Sequence, residues 1–215
     1  MIKAKEIRQK ARGQLKGKYA VYLLPVAILF AVYATANTCN NLASSEAFAN
    51  AYPVLSVVLP LTSFLLYVFA CNPLLVGISF SFLKGNAQEP EPKDFLKVFR
   101  TRYLRTVKNM LLVFLKILCW SLVLVVPGIV RLFQYALVPF VLAEHPEMDD
   151  EDACEASKVL MQGNKWRFCK LMLSFFCWLC LAACTLGVGI LFLWPYLHGA
   201  WTQFYLAVKE EKATE

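Results

Sequence analysis

Charge is segregated along this chain to a degree that few folds tolerate. The stretches 19–83, 109–143 and 171–208 make up 138 of the 215 residues and hold only Glu46, Lys116 and Arg131 among their charged side chains. The other 77 residues hold the remaining 34 charges. Charged residues reach only 17% overall, against about 25% in ordinary soluble domains. Uncharged runs of this length are what a bilayer requires. The pattern excludes a soluble enzyme, a secreted disulfide scaffold and a disordered chain.

A helix rises about 1.5 Å per residue and the hydrocarbon layer is roughly 30 Å thick, so about 20 apolar residues make one crossing. The sequence predicts six: Tyr19 to Ala36, Val54 to Leu83, Met110 to Val126, Ile129 to Ala143, Phe168 to Cys184 and Val188 to Val208. The fold class expected is all-α, a polytopic membrane helix bundle of three hairpins with cytoplasmic amphipathic helices. It forms one domain over 1–215, with a basic amphipathic helix at 1–18, the bundle at 19–208 and a tail at 209–215. The second crossing is long enough to tilt, to kink at Pro73 or to extend into the cytoplasm. The fourth is short, which leaves a re-entrant hairpin over 110–143 open as an alternative.

Loops rich in Lys and Arg stay cytoplasmic. Twenty of the 22 basic residues fall before Tyr19, between Lys84 and Lys108, after Glu144 as far as Lys170, or in the tail. The loop Asn37 to Pro53 and the short loop Thr185 to Gly187 have none. Both termini are therefore expected in the cytoplasm. The alternative for the first crossing is a cleaved signal peptide ending at Ala34-Thr35-Ala36, but the preceding segment has Ala4, Ile7, Ala11 and Leu15 at helical spacing, unlike a signal n-region.

The three hairpins share a plan. Each outward helix follows an amphipathic segment, and each returning helix has a proline with a small residue four positions later: Pro73/Gly77, Pro139/Ala143 and Pro195/Gly199. Leu15-Lys16-Gly17-Lys18-Tyr19 echoes Met161-Gln162-Gly163-Asn164-Lys165-Trp166, and the alignment of return helices sets Phe82 opposite Phe204. Such prolines free backbone carbonyls in transporters and also improve packing in membrane helices.

On the cytoplasmic side, Pro92 to Asn109 reads as an interfacial helix. Phe95, Val98, Phe99 and Tyr103 would dip into the headgroup layer while Lys97, Arg100, Arg105 and Lys108 meet anionic lipid, each cation contributing about 1 kcal/mol. The acidic run Glu144 to Asp152 is expected to start a helix from about Asp150 to Gln162, capped at its far end by Gly163. A metal or partner-docking role for that run is the alternative.

Chemical motifs are sparse. Cys177, Cys180 and Cys184 line one face of the fifth crossing, where small polarizable residues suit a helix interface and a zinc or redox role is the competing view. Hydrolase, zincin and phosphate-loop motifs are missing, and no carboxylate sits in the crossings, so no catalytic residue, cofactor or metal is assigned and an enzyme is not expected. Polar residues at membrane depth are Lys116, Arg131, His198, Asn72, Gln134 and Gln203. Lys116 and Arg131 can snorkel to opposite interfaces. With His198, Asn72 and Gln134 they are also the candidates for a polar cavity.

The stretch Met161 to Arg167, with Leu173-Ser174-Phe175, Trp178, Thr185 to Gly189, Pro195-Tyr196 and Phe204-Tyr205, resembles a family of bacterial integral membrane proteins of unknown function. Val126-Pro127-Gly128-Ile129, Val138 to Ala143 and Leu15-Lys16-Gly17 carry the likeness over the rest of the chain. That family is distantly similar to the membrane domain attached to some bacterial glycerophosphodiester phosphodiesterases, whose catalytic domain is missing here. The resemblance implies a multi-pass protein of the bacterial cell membrane with no assigned reaction. The function expected is a non-catalytic component that binds membrane lipids, anionic ones in particular, or a protein partner or second copy, and no nucleic acid. A small permease or lipid-handling transporter is the alternative.

Overall fold

The computed structural model describes residues 4–100, 103–123, 125–185 and 188–214, and among them every regular element is helical. The chain runs through three units in succession.

In the first, α1 (Ala4–Leu15) buries Ile7, Ala11 and Leu15, leaves Lys5, Lys10 and Arg12 exposed and holds Arg8 half-buried. A turn through Gly17, whose φ is 77°, leads into α2 (Tyr19–Ala43). A backbone in the left-handed region suits glycine because any Cβ there crowds the following carbonyl. The short α3 (Glu46–Ala51) fills the connection, and α4 (Pro53–Leu66), one π-helical turn (Tyr67–Cys71) and α5 (Asn72–Ala87) form a continuous return. The π turn ends just before Pro73, which sits at the start of α5, where a missing N–H is least costly.

In the second unit a 3-10 turn (Asp94–Leu96) and α6 (Lys97–Arg100) precede α7 (Tyr103–Val123). Its return is broken: α8 (Val125–Tyr135) stops at Ala136-Leu137, and α9 (Val138–Glu144) restarts with Pro139 in its first turn. In the third, α10 (Asp150–Met161), a turn through Gly163 at φ 78°, α11 (Lys165–Cys184) and α12 (Val188–Ala213) repeat the first plan. Leu186 and Gly187 of the expected outer loop lie outside the described residues, as do Lys3 and Arg102 of the basic clusters.

Three helical segments are long and apolar enough to cross a membrane: Tyr19–Ala43, Pro53–Ala87 and Lys165–Cys184. Their outer faces show Val54, Val57, Leu61, Leu173 and Phe176 to the surroundings, as lipid contact demands. Helices α7 and α12 are of similar length, with 21 and 26 residues, and carry Lys116 and His198 in their middles. The single fourth crossing expected over Ile129 to Ala143 is corrected to two pieces of 11 and 7 residues, α8 being amphipathic and α9 buried on nearly every side. The break follows from Pro139, which cannot continue an α-helical ladder from Tyr135.

The units close into a ring. The amphipathic segment of each unit lies on the return helix of the one before: the Asp94–Leu96 turn and α6 on α5, α10 on α8 and α9, and α1 on α12. The glycines four residues after Pro73 and Pro195 mark the closest approach. A Cβ on Gly77 would collide with the Phe95 carbonyl, and one on Gly199 would stand 3.7 Å from the Ala11 methyl and 3.4 Å from the Phe82 ring. Counting from Gly17 and Gly163, Tyr22 corresponds to Phe168, and each packs against the aromatic nine residues past its own return proline, the first pair stacked and the second tilted. Tyr22 meets Phe82 at 4.3 Å between ring centres, and Phe168 meets Phe204 at 5.1 Å. In the second unit the matching place is filled by Asn109 and Met148, joined by a side-chain to backbone hydrogen bond of 3.0 Å.

Candidate functional site

The interior polar residues do not share one chamber. Lys116 Nζ reaches Asp150 at 2.7 Å, at the start of α10. Arg131, one helix further on, hydrogen-bonds Gln134 at 3.1 Å and lies over the Trp120 ring at 4.6 Å. The Gln134 carbonyl in turn accepts from the buried Ser157 of α10 at 2.6 Å. These residues make a corner between α7, α8 and α10. The thiol of Cys154 is pushed up by burial there, partly offset by the Lys116 charge, so it stays protonated.

His198 sits elsewhere, in the ring centre. Counting from the prolines, it occupies the place of Val76 and Leu142, and like them it is buried. Phe82, Phe140, Trp194 and Trp201 surround its ring at 5.4–6.4 Å. Its Nδ1 is buried without a hydrogen-bond partner, as is the Trp194 indole nitrogen one turn earlier. Asn72 is buried at the start of α5. Of the five candidates, then, the structure joins Arg131 with Gln134, sets Lys116 in the same corner, and leaves His198 and Asn72 apart.

The expected interfacial helix over Pro92 to Asn109 is corrected as well. It opens with the Asp94–Leu96 3-10 turn and is α-helical over Lys97–Arg100 and again from Tyr103, and Phe95 and Val98 are buried against the protein and not in lipid. The cause is Asp94. Its fully buried carboxylate binds Lys84 Nζ at 2.8 Å, Lys97 Nζ at 3.1 Å and the Glu91 amide at 2.8 Å, which ties the segment to α5. Burial pushes the Asp94 carboxyl up, but the hydrogen bonds from Lys84, the Glu91 amide and Lys97 outweigh it and hold the group below the ordinary carboxylate value. Lys97 is thereby neutralised, and Arg105 is paired with Asp149 at 2.9 Å. Arg100 and Lys108 are exposed and have no ion-pair partner among the described residues.

The acidic run begins a helix at Asp150, as expected, with Asp149 just before it. Two of its carboxylates face Arg105 and Lys116, which leaves little reason for a cation to bind there. No group of three or more His, Cys, Asp or Glu suited to a metal occurs among the described residues, and Cys177, Cys180 and Cys184 are exposed free thiols on α11.

Two features on α1 were not singled out by sequence reasoning. Gln203 Nε2 donates to Gln14 Oε1 at 3.1 Å and to Asn86 Oδ1 at 2.9 Å, while Gln14 Nε2 donates to the Phe82 carbonyl at 2.7 Å. This amide cluster lines a cavity of about 360 Å³ between α1, α5 and α12 that also takes in Lys10 and Glu210. The second is a cleft of about 370 Å³ lined by Lys5, Arg8, Gln9, Arg12 and Tyr196. The signal that could have exposed both is the polar face of the predicted α1: Lys5, Arg8, Gln9 and Arg12 recur at spacings of three and four residues.

Residues 122–212 match the family model described as a protein of unknown function, DUF975. The matched stretch takes in the end of α7, all of α8 to α11 and α12 as far as Lys212, including the Gly163 turn and His198. No curated protein and no solved structure matches the chain.

Proposed function

We propose that the protein is a non-catalytic, multi-pass component of a bacterial cell membrane, with both ends in the cytoplasm, that holds anionic lipid through its cytoplasmic surface. The six-crossing arrangement is part of this proposal: α8 and α9 with their turn make a return run from Val125 to Glu144, close to the length of one crossing when laid end to end. The observation that carries the lipid reading is the segment around α6. Arg100 and Lys108 are exposed and unpaired, and they alternate with exposed Leu96, Phe99 and Leu104. Unpaired cations next to exposed apolar side chains at the foot of a membrane helix are what an anionic headgroup layer attracts.

A permease with one polar chamber has less support, because His198 stands apart from Lys116 and Arg131 and each of those two cations already has a partner. The lipid reading is tested by purifying the full chain in mild detergent and weighing the lipids it retains by native mass spectrometry. Wild type should retain anionic over zwitterionic phospholipid, and Arg100→Gln with Lys108→Gln should lower that preference by about fivefold per cation. Equal retention of both lipid classes by wild type would overturn the reading.

A further inference from the structure

We infer that α1, α11 and α12 together form a discrete binding site for one anionic phospholipid molecule, with its phosphate in the α1 cleft and an acyl chain in the adjoining groove. The inference deepens the lipid reading above and rests on it, while moving the specific contact away from Arg100 and Lys108.

The cleft lined by Lys5, Arg8, Gln9, Arg12 and Tyr196 has three cations and no carboxylate in its wall. Arg8 Nε is buried there and has no hydrogen-bond partner. A guanidinium N–H that has lost water and gained no acceptor is unfavourable, and a phosphate oxygen is the acceptor whose charge and geometry suit it. Arg12 is held in place for the same task. Its Nε donates to the Tyr196 hydroxyl at 3.2 Å and its guanidinium lies 5.5 Å from the centre of that ring. Those contacts engage Nε and the face of the group, and Arg12 remains exposed.

Arg12 and Tyr196 also line a second cavity of about 370 Å³, so the two spaces adjoin at these residues. The second is apolar. It runs between α11 and α12 past Trp178, Leu181, Phe192 and Leu193 to Thr185 and Gly189. Its two hydroxyls are already engaged, because Thr185 Oγ1 donates to the Ala182 carbonyl and accepts from the Gly189 amide, and the Tyr196 hydroxyl accepts from Arg12. Trp178, Leu181 and Phe192 are exposed at its rim, and α11 is one of the helices apolar enough to cross a membrane, so the groove opens toward hydrocarbon. A cationic cleft adjoining an apolar groove is complementary to an amphiphile with an anionic head. A free phosphate would leave the groove empty, and a zwitterionic lipid, whose phosphate is offset by its own ammonium, would leave the three cations of the cleft uncompensated.

The test uses the full chain in nanodiscs of phosphatidylcholine and phosphatidylglycerol, the latter supplied with short and long acyl chains, followed by release into detergent and native mass spectrometry. Wild type should keep one phosphatidylglycerol, undiminished by added inorganic phosphate. Arg8→Gln with Arg12→Gln should cut that retention by about fivefold per cation. Leu181→Trp, a change at an exposed rim position that the fold tolerates, should shift the retained lipid toward short chains. Retention unchanged in the arginine variant, loss to inorganic phosphate, or an unaltered chain preference in Leu181→Trp would each overturn the site. If the lipid is lost only from Arg100→Gln with Lys108→Gln, this site falls while the general lipid reading stands. If wild type keeps no phosphatidylglycerol over phosphatidylcholine, both fall.

Discussion

The first and third units are built alike and the second is not. In the first and third, a 12-residue amphipathic helix, a left-handed glycine and a long helix follow one another at the same spacing, and an aromatic pair ties the long helix to its return. The second unit has a 3-10 turn leading into helix at Lys97 where the others have α1 and α10, and a broken return where theirs is continuous. What it uses instead is charge: Asp94 with Lys84 and Lys97, Arg105 with Asp149, Lys116 with Asp150, and Glu144 with Lys209 at 2.5 Å. The contrast shows that the close approach of an amphipathic segment to the glycine of a preceding return helix can be made by a turn as well as by a helix: Ala11 of α1 comes to Gly199, and the Asp94–Leu96 turn, held by ion pairs, comes to Gly77.

The largest effect is expected where that approach is tightest. Gly77→Ala sets a methyl against the backbone carbonyl of Phe95, which cannot swing aside, and should cost about 2–3 kcal/mol in detergent unfolding. Gly199→Ala, the same position in the third unit, meets only the edge of the Phe82 ring and the Ala11 methyl at ordinary contact distances and should cost less than about 1 kcal/mol. Equal losses at the two positions would break the claim that the second unit's segment lies closest.

Next comes the buried carboxylate. Asp94→Asn should lower stability by about 2 kcal/mol at neutral pH, because Lys84 and Lys97 lose the charge they surround. The pH dependence follows from the direction of its shift. A carboxyl held below its unfolded value contributes stability that is complete above that value, 3.8, and is lost as pH falls through the lower folded one. Wild type should therefore lose part of its margin over Asp94→Asn below about pH 3.8, where the two curves converge. Curves that stay parallel through that range would show that Asp94 acts by shape alone.

The smallest effect sharpens the likeness of the outer units. Gly17→Ala and Gly163→Ala have open space for the new methyl, so each should cost only the left-handed backbone term, about 1–2 kcal/mol, and by the same amount. Gly13, inside α1 with equally open space and no positive φ, should gain about 0.5–1 kcal/mol when changed to Ala. A loss at Gly13 matching that at Gly17 would mean that the turn has no special claim on glycine.

Much of this was legible before any coordinates. Period and punctuation are local, so α10 begins at Asp150 and the Gly17 and Gly163 turns fall where the paired motifs place them. The break in the second return helix and the burial of Phe95 were not legible. Pro195 lies within a continuous helix while Pro139 starts a new one, and nothing in a string of apolar residues distinguishes the two cases. The proposed lipid site was half legible: the cations of α1 stand out, but their meeting with Tyr196, 184 residues away from Arg12, does not.

The amino-acid order alone determined which stretches must leave water, where helices start and turn, and that a motif recurs across the chain, because hydrophobic transfer and backbone strain act over a few residues at a time. Only the tertiary structure decided that the recurring parts close on one another, that Lys116 goes to Asp150 and not to His198, and that Arg8 is left with a buried, unmatched nitrogen. Ion pairs and cavities depend on which distant surfaces meet, and many orders of packing are compatible with one pattern of apolar and polar residues.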